Sequence, residues 1–366
     1  MVLFGFAALL FCALALTTLT RTFDAILYLL ASTALWLLVW QQSHKRLALN
    51  RVDNTAPLFP SLGWANRITI GRGWLIAAAG GFVVLPSVLA AHPVLLWSAA
   101  ALYSIAAIFD RVDGFVARRS KQTSLLGSEL DTVFDALGLL VAPLLALQHG
   151  KIHVSYLLVS IAYYLFVIGI KVRERNNKQV YPLQPSPLRR TLAGFQMGYV
   201  AVVLWPPFNA EVTVLAGFAF MVPLLIGFAV DWLVVSGRLQ PKQHGLGELF
   251  QRLHQITRHW LLPALRIALV LVAWLILNRL DLTLTAPGIF VVALAALGML
   301  LMILGLAGRA GAVMVLMLLA WTVPVPVDSI LFVTCLVATI TILLLGCGRL
   351  SLWQADDDWV NRQDGA

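Results

Sequence analysis

Long apolar runs separated by short polar connections recur along the whole chain, at about 2–19, 25–40, 73–89, 93–109, 132–147, 154–170, 192–205, 212–235, 262–280, 286–307, 310–323 and 329–345. An α-helix needs about 20 apolar residues to cross a bilayer, so the pattern predicts about a dozen spanning helices. The first two, joined by a turn containing Arg21 and Asp24, form a hairpin. Six more make a central block and four close the chain. Between the last two blocks, Leu246, Leu249, Phe250, Leu253, Ile256 and Trp260 recur at helical spacing with Arg252, Arg258 and His259 off that stripe, the pattern of a helix lying in the membrane interface. The fold class is all-α integral membrane, divided as a hairpin at 1–42, a basic linker at 43–60, a six-helix domain at 61–236, a linker with the interfacial helix at 237–261, a four-helix block at 262–348 and a tail at 349–366.

Composition agrees. Of 366 residues, 60% are hydrophobic and 12% charged, whereas a soluble domain carries roughly 25% charged residues. This leaves no room for an extended water-soluble domain. The formal net charge of +9 sits in short loops beside apolar runs and on no single basic face, so it reads as topology and anionic-lipid contact, with no nucleic-acid partner. Loops at 41–60, 171–190 and 237–259 are rich in Lys and Arg, and those near 91, 149 and 208 are nearly free of them. The rich loops should face the cytoplasm of a bacterial inner (cell) membrane. Residues 1–20 resemble a secretory signal in hydrophobicity and carry Ala13, Leu14 and Ala15, but no basic region precedes them and a second run begins at Ala25, so a retained hairpin is expected. Cys12, Cys335 and Cys347 lie in or beside apolar runs without a Cys-x-x-Cys pair and read as packing residues. His254 and His259, five apart, suit solvent or headgroups better than a metal, and Asp356, Asp357 and Asp358 read as a solvated charge run.

One polar stretch interrupts this apolar chain. Residues 110–135, DRVDGFVARRSKQTSLLGSELDTVFD, carry two carboxylate pairs, Asp110 with Asp113 and Asp131 with Asp135. Spacings of three and four put each pair on one helical face, and two such segments face to face make a carboxylate cage. Ionised groups among membrane helices are costly and mark function by default. Four hard oxygen ligands without His or Cys suit Mg²⁺ or Mn²⁺ and suit zinc poorly. Gly114 and Ala117 remove bulk beside the cage, Arg118 offers a planar fork to phosphate, and Ser124 and Gly127 fall in the connection between the paired helices. Upstream, Asn66 and Thr69 share a helical face with Arg72 one turn further on. That trio suits either a ligand or a capped helix end with a snorkelling arginine.

The order Asp110-x-x-Asp113-Gly114-x-x-Ala117-Arg118, eight residues, Gly127-x-x-x-Asp131-x-x-x-Asp135 resembles the complete signature of the CDP-alcohol phosphatidyltransferases, over about 61–236. The resemblance implies metal-dependent transfer of a substituted phosphoryl group from a CDP-alcohol, typically CDP-diacylglycerol, to an acceptor hydroxyl, with release of CMP, in phospholipid biosynthesis. It implies Asp110, Asp113 and Asp131 as metal ligands, Asp135 as general base that also touches a metal, and CDP contacts from Asn66, Thr69, Gly114, Arg118 and Ser124. Homodimers formed through the six-helix domain are common in the family. The acceptor stays open: Arg189 and Arg190 suit an acceptor phosphate but suit positive-inside anchors better. The C-terminal block weakly resembles DoxX-type membrane modules through LGLAGRAGAVMVLML and GCGRLSL. Two other classes compete, an ion-coupled transporter using the carboxylates and a non-catalytic membrane scaffold. The clustering of all four acids at one membrane face, with no inverted repeat of the motif, argues against transport.

Overall fold

A computed structural model describes residues 1–183, 187–239, 252, 255–277, 286–322 and 330–353. Among these the protein is all α-helical, and each apolar run but one coincides, in its described part, with a helix. The helices are α1 (Val2–Leu16), α2 (Thr22–Lys45), α3 (Trp64–Gly80), α4 (Pro86–Ala91), α5 (Pro93–Arg119), α6 (Leu125–Gln148), α7 (Leu157–Arg175), α8 (Pro187–Val203), α9 (Ala210–Val235), α10 (Leu262–Leu277), α11 (Ala286–Leu304), α12 (Gly308–Thr322) and α13 (Ile330–Leu345). Among the described residues six stretches are long and apolar enough to cross a membrane: Thr22–Lys45, Trp64–Val84, Pro93–Arg119, Leu125–Gln148, Val154–Arg175 and Ala210–Val235. With shorter apolar helices beside them, they make this a multi-pass membrane protein. Much of the expected interfacial helix, including His254, and the charge run Asp356 to Asp358 lie outside the described residues. One predicted span is broken. The run at 73–89 is not one helix, because α3 passes into a 3-10 turn, Gly81–Val84, and Leu85 leaves the helical region (φ −124°, ψ 47°) before Pro86 starts α4. Proline disfavours the helical conformation in the residue before it.

The described chain divides into two compact units, 1–163 with 196–206, and 164–195 with 207–366. In the first, α3 lies between α2, α5 and α6. Its back is kept bare by Gly73, where a Cβ would sit 2.7 Å from Val39 Cγ1 and 3.2 Å from Phe134 Cε2. Glycine there lets α2 and α6 close on α3 from two sides. The hairpin is tied down by indole hydrogen bonds, Trp36 Nε1 donating to the Val2 carbonyl (3.3 Å) and Trp74 Nε1 to the Gly5 carbonyl (3.1 Å). Between α2 and α3 the chain makes a 3-10 turn, Leu47–Leu49, and Leu125 N at the head of α6 donates to the Arg51 carbonyl at 2.9 Å. The basic linker is thus fastened to the start of α6.

In the second unit, Phe166 packs edge-on against Phe228 and Trp232, and Arg189 Nε pairs with Asp231 Oδ2 at 3.1 Å. Asn209 caps α9 by accepting from Glu211 N at 2.8 Å. In the C-terminal block a Cβ on Gly298 of α11 would lie 3.0 Å from the Gly311 carbonyl of α12, a close helix crossing built on small residues. Arg266, buried on α10, donates to the carbonyls of Met302 (2.7 Å), Cys347 (3.0 Å), Leu350 (3.1 Å) and Ile303. It satisfies carbonyls at the end of α11 and beyond α13 that helix termini leave open.

Candidate active site

Three helix ends meet in the first unit: the first half of α3, the last third of α5 and the first half of α6. Each element brings one part of the motif. α5 runs without a break through Asp110 and Asp113 to Arg119, and it stops where Lys121 turns left-handed (φ 54°) and Gln122 N donates to the Ala117 carbonyl at 3.0 Å. Ser124 then caps α6, its hydroxyl accepting from Gly127 N at 3.1 Å. Sequence reading puts Ser124 and Gly127 in the connection. The structure moves Gly127 into the first turn of α6, because the serine cap starts that helix at Leu125.

Three of the four carboxylates converge, and Asp113 stands apart from them. One oxygen each from Asp110, Asp131 and Asp135 lies within 4.8 Å of the others. Asp113 sits deeper and accepts a hydrogen bond from Thr69 Oγ1 at 2.7 Å. At the centre lies the Arg72 guanidinium. Its Nη1 contacts Asp110 Oδ1, stands 3.0 Å from Asp131 Oδ1 and 3.9 Å from Asp113 Oδ2, and its Nη2 is 2.8 Å from Asp135 Oδ1 and 3.2 Å from the Asp131 carbonyl. Side-chain exposure rises from 0% for Arg72 through 9% for Asp113, 21% for Asp110 and 31% for Asp135 to 47% for Asp131. The arginine is therefore the floor of a cup whose acids open toward its mouth.

Beside the cup, Asn66 Nδ2 donates to Asn50 Oδ1 (3.0 Å) while Asn66 Oδ1 accepts from Ser124 Oγ (3.2 Å). A Cβ on Gly127 would stand 2.9 Å from Asn66 Oδ1, so this motif glycine makes room for the asparagine. Gly114 serves Arg118 in the same way: a Cβ there would lie 3.2 Å from Arg118 Nη1, and the guanidinium folds back along the exposed end of α5. The sequence-predicted metal and CDP positions thus gather at one end of one compact unit. Arg189 and Arg190 belong to the other unit, where Arg189 is engaged by Asp231.

Sequence reasoning did not assign three residues that the geometry brings in. Arg72 was visible as a polar residue one turn beyond Thr69, but nothing in the spacing tied it to acids 38 to 63 residues away. Asn50, buried, looks in sequence like ordinary linker. Tyr103 is fully buried on α5, its hydroxyl near Gly138 of α6 and without a hydrogen-bond partner among the described residues. Its signal was available: it precedes Asp110 by seven residues, two helical turns on the same face.

Residues 62–233 match the family model described as CDP-alcohol phosphatidyltransferase. No curated protein and no solved structure matches the chain.

Proposed function

Residues 62–233 of this chain belong to the CDP-alcohol phosphatidyltransferase family, and on that premise we propose that the protein moves a phosphatidyl group from CDP-diacylglycerol to an acceptor hydroxyl, releasing CMP, as a step of phospholipid biosynthesis. Transfer from a CDP-alcohol is the activity of the family; the diacylglycerol donor and the dependence on a divalent metal are our reading. The observation that carries it is the convergence of Asp110, Asp131 and Asp135 oxygens within 4.8 Å beside the Asn66 and Ser124 pair.

The donor set fits a hard divalent cation. It is anionic and all oxygen, and among the described residues no His or Cys joins the cluster, which favours Mg²⁺ or Mn²⁺ over zinc. In this reading Asp110, Asp113 and Asp131 would hold the cation, and Asp135, the general base, would also touch it. When bound, the cation supplies neutralisation of the donor's diphosphate. Asn66, Thr69, Gly114, Arg118 and Ser124 receive the cytidine diphosphate, with the Arg118 guanidinium offering a planar fork to phosphate oxygens. Asp135 takes the proton of the acceptor hydroxyl as that oxygen bonds to the phosphorus bearing the diacylglycerol. The bond from this phosphorus to the bridging oxygen breaks, and CMP leaves. The six-helix domain at 61–236 holds this site, faces it to the cytoplasm of the cell membrane and pairs two copies of the chain.

The test is direct. Purified protein with Mg²⁺ or Mn²⁺ receives CDP-diacylglycerol and a panel of acceptors, among them glycerol phosphate, inositol phosphate and serine; CMP release is followed and the new headgroup identified by lipid mass spectrometry. EDTA should stop the reaction. Asp135→Asn should lower turnover by about 100-fold or more, the usual scale of general-base catalysis, with thermal unfolding little changed. Full activity in that variant overturns the base assignment, and no CMP across the panel overturns the function.

A further inference from the structure

We propose that Arg72 is a positioning residue, a fixed internal countercharge that holds the four motif carboxylates together from below and leaves their outward oxygens for the cation. It rests on the reading of the cup as a divalent-cation site, and it assigns a role to a side chain that the motif does not contain.

Four anionic groups crowded among membrane helices repel one another, and burial removes the water that would screen them. A cation bound at the mouth cannot organise the cup before it arrives. Arg72 can, because it is already there: fully buried, on α3, reaching acids on both α5 and α6. Its two terminal nitrogens divide the work. Nη1 serves Asp110 and Asp131, with Asp113 at 3.9 Å, and Nη2 serves Asp135 and the Asp131 carbonyl. Only a planar fork spans these partners at once; a lysine ammonium is a point charge.

The side on which it binds matters as much as the charge. The contacts to Asp110, Asp131 and Asp135 all use Oδ1 atoms of acids that are themselves part-exposed, while the arginine is not exposed at all. Four carboxylates against one guanidinium leave three formal negative charges to attract a divalent ion. Arg72 therefore prearranges the cup without neutralising it.

The experiment uses the full chain in detergent or nanodiscs, stripped with EDTA, and follows thermal unfolding with and without saturating Mn²⁺. Arg72→Met should lower the unfolding temperature in EDTA by several degrees and regain more on Mn²⁺ addition than the wild type does, because the ion then supplies compensation that Arg72 gave before. Arg72→Lys should fall between the two. In EDTA alone, the double variant Arg72→Met with Asp135→Asn should be more stable than Arg72→Met, since removing one acid relieves repulsion that no longer has a countercharge. If the Arg72→Met penalty is equal with and without Mn²⁺, or if Asp135→Asn adds its own loss to it, Arg72 is a packing residue and the proposal fails. Should Arg72→Met not fold, the lysine and double variants decide the same question. Failure of the metal reading looks different: the wild type would show neither Mn²⁺-dependent stabilisation nor bound Mn²⁺ in an electron paramagnetic resonance titration, while the charge-coupled behaviour in EDTA would persist.

Discussion

Gly127 has no room for even a methyl group, because a Cβ there would approach Asn66 Oδ1 to 2.9 Å. Gly127→Ala must push Asn66 off Ser124 and Asn50, and the expected outcome is a loss of CDP affinity of about tenfold, roughly 1.4 kcal/mol, with stability in EDTA changed far less; isothermal titration with CDP measures it. Gly114 differs, since its nearest neighbour is the far end of the flexible Arg118 side chain at 3.2 Å, which can move aside. Gly114→Ala should therefore cost less CDP affinity than Gly127→Ala in the same titration. Both glycines are fixed positions of the signature, yet only the neighbours across the fold tell a tight glycine from a tolerant one.

The linker between α2 and α3 is the element whose role changes most. It lies outside the family-matched residues, and by sequence it is a basic, topology-setting loop; folded, it delivers Asn50 to Asn66 and the Arg51 carbonyl to Leu125 N. Asn50 is 7% exposed and its own Nδ2 donates to the Ser61 carbonyl at 3.2 Å. Asn50→Leu strands the buried Asn66 amide, at a cost of about 1–3 kcal/mol, and should weaken CDP binding along with thermal stability. Asn50→Asp keeps an acceptor for Asn66 Nδ2 and should restore most of the CDP binding. Equal CDP affinity in the wild type and Asn50→Leu would show that the linker does not orient the asparagine. The hairpin before it backs the same helix, since α2 lies against Gly73, one residue past Arg72.

For the whole molecule, sidedness is the property that loop charge predicts and that folding must respect. Cys335 and Cys347 are buried and Cys12 is half-buried, so after replacing Cys12 by Ser a single new cysteine reports its side. Asp53→Cys, in the linker beside the site, should react with an impermeant maleimide only when the cytoplasmic face is open, and His153→Cys, in the connection after α6, only from the opposite face. Reaction of Asp53→Cys from the outer face would overturn the cytoplasmic orientation, and reaction of both cysteines from one face would overturn the crossing of α6. The sequence by itself determined the membrane class, the places of the helices and the four acids, because hydrophobic run length, helical periodicity and a spaced motif are local properties of the chain. It placed Asp110 with Asp113 and Asp131 with Asp135 without any structure. What only the tertiary structure decided is the partner of each group across helices: Arg72 as the floor of the cup, Asn50 behind Asn66 and Asp231 on Arg189. Those depend on which faces of distant helices pack together, and packing across tens of residues leaves no periodic mark in a single chain.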